Sequence, residues 1–118
     1  MIVLIDDERD FKQQFQQDDI VVLRNSESAI NWFKNMPKDA KIDQVWFDHD
    51  LGIVDNHPDT TIPVSRFLEE MFLNGKNLNI RQFVIHTSNP VGGKQLYTTM
   101  SKIASTVRVY AGDYLEVR

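Results

Sequence analysis

The chain has 118 residues, of which 42% are hydrophobic and 25% are charged, which suits one globular domain over residues 1–118. The net charge is −4 and the basic residues are scattered, which argues against duplex nucleic acid as a partner. Because there is no cysteine and no apolar run long enough to span a membrane, we predict a cytoplasmic protein without disulfides, thiolate metal sites or a membrane partner.

In the first half of the chain, short apolar runs alternate with segments whose apolar residues have helical spacing. Continuous apolar runs are typical of parallel strands covered on both faces. Apolar residues three and four apart are typical of one side of a helix. In chain order this half predicts a strand at 1–5, a helix marked by Phe11 and Phe15, a strand at 20–23, a helix begun by Asn25 or Ser26 and ended by Pro37, and a strand at 42–47.

The second half of the chain continues this alternation. Its strongest helical pattern follows Pro63, a residue that suits the first turn of a helix. In chain order this half predicts a polar loop at 51–61, a helix from Pro63 that Asn74-Gly75 stops, a strand at 80–85, a helix opened by Gly92-Gly93, a strand at 107–110, a turn at Gly112 and a short strand at 114–117.

The alternation of strands and helices predicts a three-layer α/β/α fold of the flavodoxin-like type. Crossovers between parallel strands are right-handed and place helices on the faces of the sheet. We expect five parallel strands in the order 2-1-3-4-5, without a helix after the last strand. This order places the ends of strands 1, 3 and 4 side by side, next to the switch point where ligands bind in such sheets.

Acidic residues follow two of these three strands. Asp6 and Asp7 come directly after strand 1, and Asp48 and Asp50 come directly after strand 3. Carboxylates that meet at one edge repel each other, and a hard divalent cation such as Mg²⁺ or Mn²⁺ takes oxygen ligands. Acids are also common in loops, where they cap turns, and Asp50 has this alternative. We favour a metal site formed by all four acids, because polar residues directly follow each of the three neighbouring strands.

The fourth strand ends in a histidine. His86 is the best candidate for acid–base catalysis, because an imidazole gives or takes a proton near neutral pH. An ordinary strand histidine bonded to a carbonyl group is the alternative. His49, between two of the acids, is expected to support one of them.

The residues after His86 have the composition of a phosphate site. Glycines let backbone N–H groups approach an anion, and the beginning of a helix attracts negative charge. Arg9 reaches a phosphate in this interpretation, or else it neutralises the acids beside it or lies in solvent. The predicted phosphate-binding residues are Arg9, Thr87, Ser88, Asn89 and Lys94.

Taken in order, the three motifs resemble the acid pocket of receiver domains of two-component signalling. They are most similar to the divergent group called cyclic-phosphate processing receiver domains. The resemblance spans nearly the whole chain and rests on Asp6-Asp7-Glu8-Arg9, Asp48-His49-Asp50-Leu51-Gly52 and His86-Thr87-Ser88-Asn89-Pro90.

The resemblance implies a metal-dependent phosphoesterase that acts on a cyclic phosphate of a nucleotide or an RNA end. His86, Asp48 and Thr87 are its catalytic residues in this interpretation, and its partner is a small phosphorylated ligand or an RNA terminus. Two alternatives stay open: a binder or sensor of a phosphorylated nucleotide, and a signalling receiver phosphorylated on Asp48. The fifth strand lacks the lysine that signalling receivers have at its end, which argues against the last of these.

Overall fold

The structure is a computed structural model that describes residues 1–16, 19–104, 106–110 and 114–117. The turn predicted at Gly112 lies outside these residues. The strands are β1 (Ile2–Ile5), β2 (Arg9–Phe11), β3 (Ile20–Leu23), β4 (Ile42–Phe47), β5 (Asp50–Val54), β6 (His57–Thr60), β7 (Ile80–Ile85), β8 (Val107–Val109) and β9 (Leu115–Val117). The helices are α1 (Ser26–Asn35), α2 (Ile62–Leu73), α3 (Pro90–Met100) and a 3₁₀ helix (Gln13–Phe15).

Five strands form a parallel sheet in the order β3-β1-β4-β7-β8. Numbered among themselves along the chain, these strands have the predicted order 2-1-3-4-5. Ile5 is paired with Phe47, and Phe47 with Ile85. The central strands therefore end level with each other, so the polar residues that follow them begin at the same edge.

All three α-helices pack on one face of the sheet, where alternate strand residues meet the apolar side of each helix. The helices also contact one another in sequence, α1 with α2 and α2 with α3. The buried residues of this core include Val3, Ile5, Val45, Phe47, Phe83 and Ile85 from the sheet and Ala29, Phe33, Val64, Leu68, Leu96 and Met100 from the helices.

The opposite face of the sheet is covered by a small antiparallel sheet of β2 and β9. Its core consists of Ile2, Leu4, Trp46, Val84, Phe11 and Leu115. The α/β fold class is confirmed, but the third layer consists of strands and a 3₁₀ helix instead of α-helices. As expected, no helix follows β8 in the described residues.

The predicted first helix around Phe11 and Phe15 is wrong. Asp6 accepts hydrogen bonds from the backbone N–H groups of Glu8 and Arg9, which turns the chain directly after β1. The chain then pairs with β9, which satisfies backbone groups that a helix would have bonded internally. Two phenylalanines four residues apart fit either structure, and the tertiary pairing decided between them.

The segment 51–61 was predicted as a loop but contains most of a hairpin of β5 and β6. Its two turn residues, Asp55 and Asn56, have φ angles of 51° and 65°, as a tight hairpin turn requires. Asp59 accepts hydrogen bonds from the backbone N–H and the hydroxyl of Ser26, so the hairpin is held against the beginning of α1.

Several helix and strand boundaries differ by one or two residues from the expectations. α2 begins at Ile62, and α3 begins at Pro90, with the Asn89 side chain accepting a hydrogen bond from the Gly92 N–H. The last strand begins at Leu115. None of the helices in the described part of the chain is long and apolar enough to cross a membrane.

Candidate metal and phosphate site

The ends of β1, β4 and β7 bring three polar residues to one side of the sheet edge. Side chains alternate along a strand, so Asp6, Asp48 and His86 lie on the side of Trp46, away from the three helices. This is the side that the β2–β9 sheet partly covers. The site therefore lies between the carboxyl edge of the main sheet and the segment that follows β1.

Three carboxylates meet at this edge. One oxygen each of Asp6, Asp7 and Asp48 lies within 4.8 Å of the others. Asp6 is almost fully buried, and its Oδ1 accepts the backbone N–H groups of Glu8 and Arg9, each at 2.9 Å. These bonds hold the Asp6 carboxylate in place without using Oδ2, which remains directed to the cluster. The donor set is all oxygen and suits a hard divalent cation.

Hydrogen bonds hold both the backbone and the side chain of Asp48 in place. Its Oδ1 accepts the His49 N–H at 2.8 Å, and its carbonyl accepts the buried Thr61 hydroxyl at 2.6 Å. Burial raises the pKa of Asp48 to about 6, and the neighbouring charge of Asp6 adds to the effect. Burial also raises the pKa of Asp7. The folded protein thus disfavours the ionised form of both carboxyl groups, and a bound cation would favour it.

Arg9 supplies positive charge within the cluster. Its Nη1 lies 3.4 Å from Asp6 Oδ2 and 3.3 Å from Asp48 Oδ2. These are the contacts of a neutralising residue, one of the alternatives for Arg9. The side chain is 29% exposed, so part of it is accessible from solvent.

Asp50, predicted as a fourth metal ligand, is not in the carboxylate cluster. Its side chain is 62% exposed, and its Oδ1 lies 3.1 Å from His49 Nδ1. The His49 ring in turn lies directly on Gly92, where an added Cβ would overlap the ring. His49 supports Asp48 through its backbone N–H, and its ring packs β4 against the beginning of α3.

His86 stands beside the carboxylates in a half-buried position. Its Nδ1 is buried and has no hydrogen-bond partner among the described residues. Burial lowers the pKa of His86, and the positive charge of Arg9 lowers it further. Both effects favour the neutral imidazole, which is the form that can accept a proton.

The predicted phosphate-binding residues are only partly brought together. The Thr87 hydroxyl lies near enough to the Asp48 carboxylate to lower its pKa, and it accepts a hydrogen bond from the Asn89 N–H. Ser88 is exposed beside it, and Asn89 uses its side chain to cap α3. Lys94 lines a groove between α2 and α3 on the helical side of the molecule, away from the carboxylates.

Two further residues shape the site and were missed in the sequence. Arg24 donates to the carbonyl groups of Asp6 and Arg9, which holds the segment after β1. Gly52 has a φ of 75°, and an added Cβ would lie 2.9 Å from Asp7 Oδ2. The sequence gives little signal for these roles: Arg24 directly follows β3, and Gly52 lies two residues after Asp50.

Comparison with known proteins identifies the family of the chain. The model of the family described as cyclic-phosphate processing receiver domain matches residues 1–102. The match includes the three motifs and the whole carboxylate cluster. No curated protein and no solved structure matches the chain at a significant level.

Proposed function

The chain belongs to the cyclic-phosphate processing receiver domain family, and from this premise we propose that it is a metal-dependent phosphoesterase. The reaction is the hydrolytic opening of a cyclic phosphate on a nucleotide or an RNA end. The observation that carries the proposal is the cluster of Asp6, Asp7 and Asp48 with a neutral His86 beside it. A cation site next to a proton acceptor is what hydrolysis of a phosphate ester needs.

Asp6, Asp7 and Asp48 would hold Mg²⁺ or Mn²⁺, since hard oxygen ligands suit both ions. When bound, the ion neutralises charge on the phosphoryl oxygens and lowers the pKa of water. The pKa of about 6 at Asp48 supports this assignment, because burial and, after it, the charge of Asp6 disfavour the ionised carboxylate, and a bound cation would favour it.

The surrounding side chains provide binding and proton transfer. Arg9 and the Thr87 hydroxyl bind the non-bridging oxygens of the phosphate. His86 accepts a proton from water as the water oxygen attacks phosphorus, and the ring P–O bond breaks. The proton then passes to the leaving ribose oxygen, so that a phosphate monoester is released. Attack by the Asp48 carboxylate, with an aspartyl phosphate intermediate, is a second route to the same products.

The test of this function is a panel of cyclic phosphates incubated with the protein and Mg²⁺ or Mn²⁺, followed by phosphorus NMR. The panel includes 2′,3′-cyclic nucleotides, RNA ends with a 2′,3′-cyclic phosphate and a cyclic phosphate of ADP-ribose. Opening of one of them supports the proposal. If the folded protein binds metal and ligand but opens none of them, it is a binder or sensor.

A histidine variant tests the mechanism. We expect His86→Ala to lower turnover by roughly two to four orders of magnitude, the usual contribution of general acid–base catalysis, and to keep metal binding. His57→Ala is the matched control, because His57 is exposed on β6 outside the cluster. Full turnover by His86→Ala would show that this histidine is structural.

A further inference from the structure

A row of aromatic rings runs from the carboxylate edge across the second face of the sheet. The rings of His86 and Tyr110 are 6.3 Å apart, and those of Tyr110 and Tyr114 are stacked at 5.2 Å. Tyr114 continues the row to Phe15 at 4.0 Å. All four residues are partly exposed. We call these four residues the aromatic strip.

The aromatic strip ends at a cavity of about 300 Å³ between the 3₁₀ helix and the sheet. Phe15 and Tyr114 belong to its wall, as do Trp46, Gln44 and Arg108. The Gln44 amide is oriented by the Trp46 Nε1–H and by Gln82. Trp46 is almost fully buried, so Phe15 and Tyr114 are the partly exposed rings among these wall residues. Aromatic rings with amide and guanidinium groups at their margin match the faces and edges of a nucleobase.

The distance between the cavity and the carboxylates restricts the ligand. Two residues of the cavity wall share β4 with Asp48. Trp46 is two residues from Asp48 and Gln44 is four, so the Gln44 end of the cavity is about 13 Å from Asp48 at the usual rise of a strand. This is longer than the span of one nucleotide from its terminal phosphate to its own base. A base at the Gln44 end of the cavity would therefore belong to a nucleotide further along a chain whose end lies at Asp48.

We propose that the aromatic strip and its cavity bind the bases of a single-stranded RNA 3′ end. The inference rests on the proposed function for the position of the terminal phosphate, and it selects an oligonucleotide over a free mononucleotide as the substrate. Stacking on aromatic rings tolerates any base sequence. The Arg108 guanidinium, 5.4 Å from the centre of the Tyr110 ring, brings positive charge to the strip for the RNA backbone.

Binding can be measured without turnover. In a Trp32→Phe background Trp46 is the only tryptophan, and it reports on the cavity. The ligands are adenine ribonucleotides of one, two and four residues that end in a 3′-phosphate, with Mg²⁺ present. We expect the Kd to fall about tenfold from one residue to two, since stacking of one base contributes about that much. We expect Phe15→Leu and Arg108→Gln to remove this gain and to leave the mononucleotide Kd unchanged.

Tyr97→Leu is the matched control, because Tyr97 is exposed on α3 at the opposite face. It should change none of the constants. Arg108 is exposed, so its variant tests the strip even if Phe15→Leu fails to fold. Equal Kd values for the one-residue and two-residue ligands overturn the inference. It is also overturned if the variants weaken the binding of both ligands by the same factor, or if no ligand binds at all. If the protein opens no cyclic phosphate but binds the dinucleotide more tightly than the mononucleotide, the inference about the aromatic strip is supported and the proposed phosphoesterase activity is refuted.

Discussion

The carboxylate cluster makes a prediction about stability that has an unusual sign. Burial and the charge of Asp6 raise the pKa of Asp48 from 3.8 to about 6 in the folded protein. The folded state therefore favours the protonated carboxyl, and ionisation of Asp48 costs stability as the pH rises. At pH 7.5 the cost is about 3 kcal/mol, at 1.36 kcal/mol per pKa unit. It decreases through pH 6 and is absent below the unfolded pKa of 3.8.

Asp48→Asn replaces the ionised carboxylate by a neutral group of the same shape. Without divalent metal at pH 7.5, we expect the variant to be more stable than the wild type by up to about 3 kcal/mol, or about 10 °C in Tm. The gain should disappear near pH 4. With Mg²⁺ the difference should shrink, because only the wild type gains stability from the ion.

The measurement is thermal unfolding of both proteins from pH 4 to pH 8, in chelator and in Mg²⁺. Asp39→Asn is the matched control, because Asp39 is exposed in the turn after α1 and outside the cluster. It should show no such pH dependence. Loss of stability by metal-free Asp48→Asn at pH 7.5 would refute the argument, since it would mean that Arg9 compensates the charge fully.

Three other predictions follow from the same contacts. Mg²⁺ or Mn²⁺ should raise the Tm of the wild type at pH 7.5, and should raise it less at pH 5, because protonation of Asp48 competes with the ion. Thermal unfolding checks the Tm, and calorimetric titration at both pH values checks the metal affinity. Acetyl phosphate should leave no lasting phosphoryl group on Asp48, because the described part of β8 has no lysine to hold it, and a stable adduct in intact-mass spectra would favour a signalling receiver. Gly92→Ala should destabilise the protein by about 1 to 3 kcal/mol through overlap with the His49 ring, and a double-mutant cycle with His49→Ala should show that most of this cost depends on the ring.

Much of the parallel sheet was predictable, because its signal is local. Each of the five strands is a short run rich in apolar residues, and the alternation with helices leaves few possible topologies. The meeting of Asp6, Asp7 and Asp48 follows from that topology alone, since parallel strands end at a common edge. The region after β1 was not predictable in the same way, because its structure depends on pairing with β9 at the far end of the chain.

The directions of the side chains beyond the strand ends also could not be predicted from the sequence. Alternation along a strand predicts on which side Asp48 lies, but it stops applying where the strand ends. Asp50 lies against the His49 ring, outside the cluster. Lys94 is part of the predicted phosphate motif, yet the turn of α3 carries it to the groove beside α2.

The sequence by itself determined the fold class, the strand order and the three carboxylates, because each depends on local patterns that one topology brings together. Only the tertiary structure decided that the second face is covered by strands, that Arg9 bridges Asp6 and Asp48, and that His86 is neutral beside them. These features depend on contacts between residues far apart in the chain. Burial and neighbouring charges, which set the pKa values of the site, exist only once those contacts have formed.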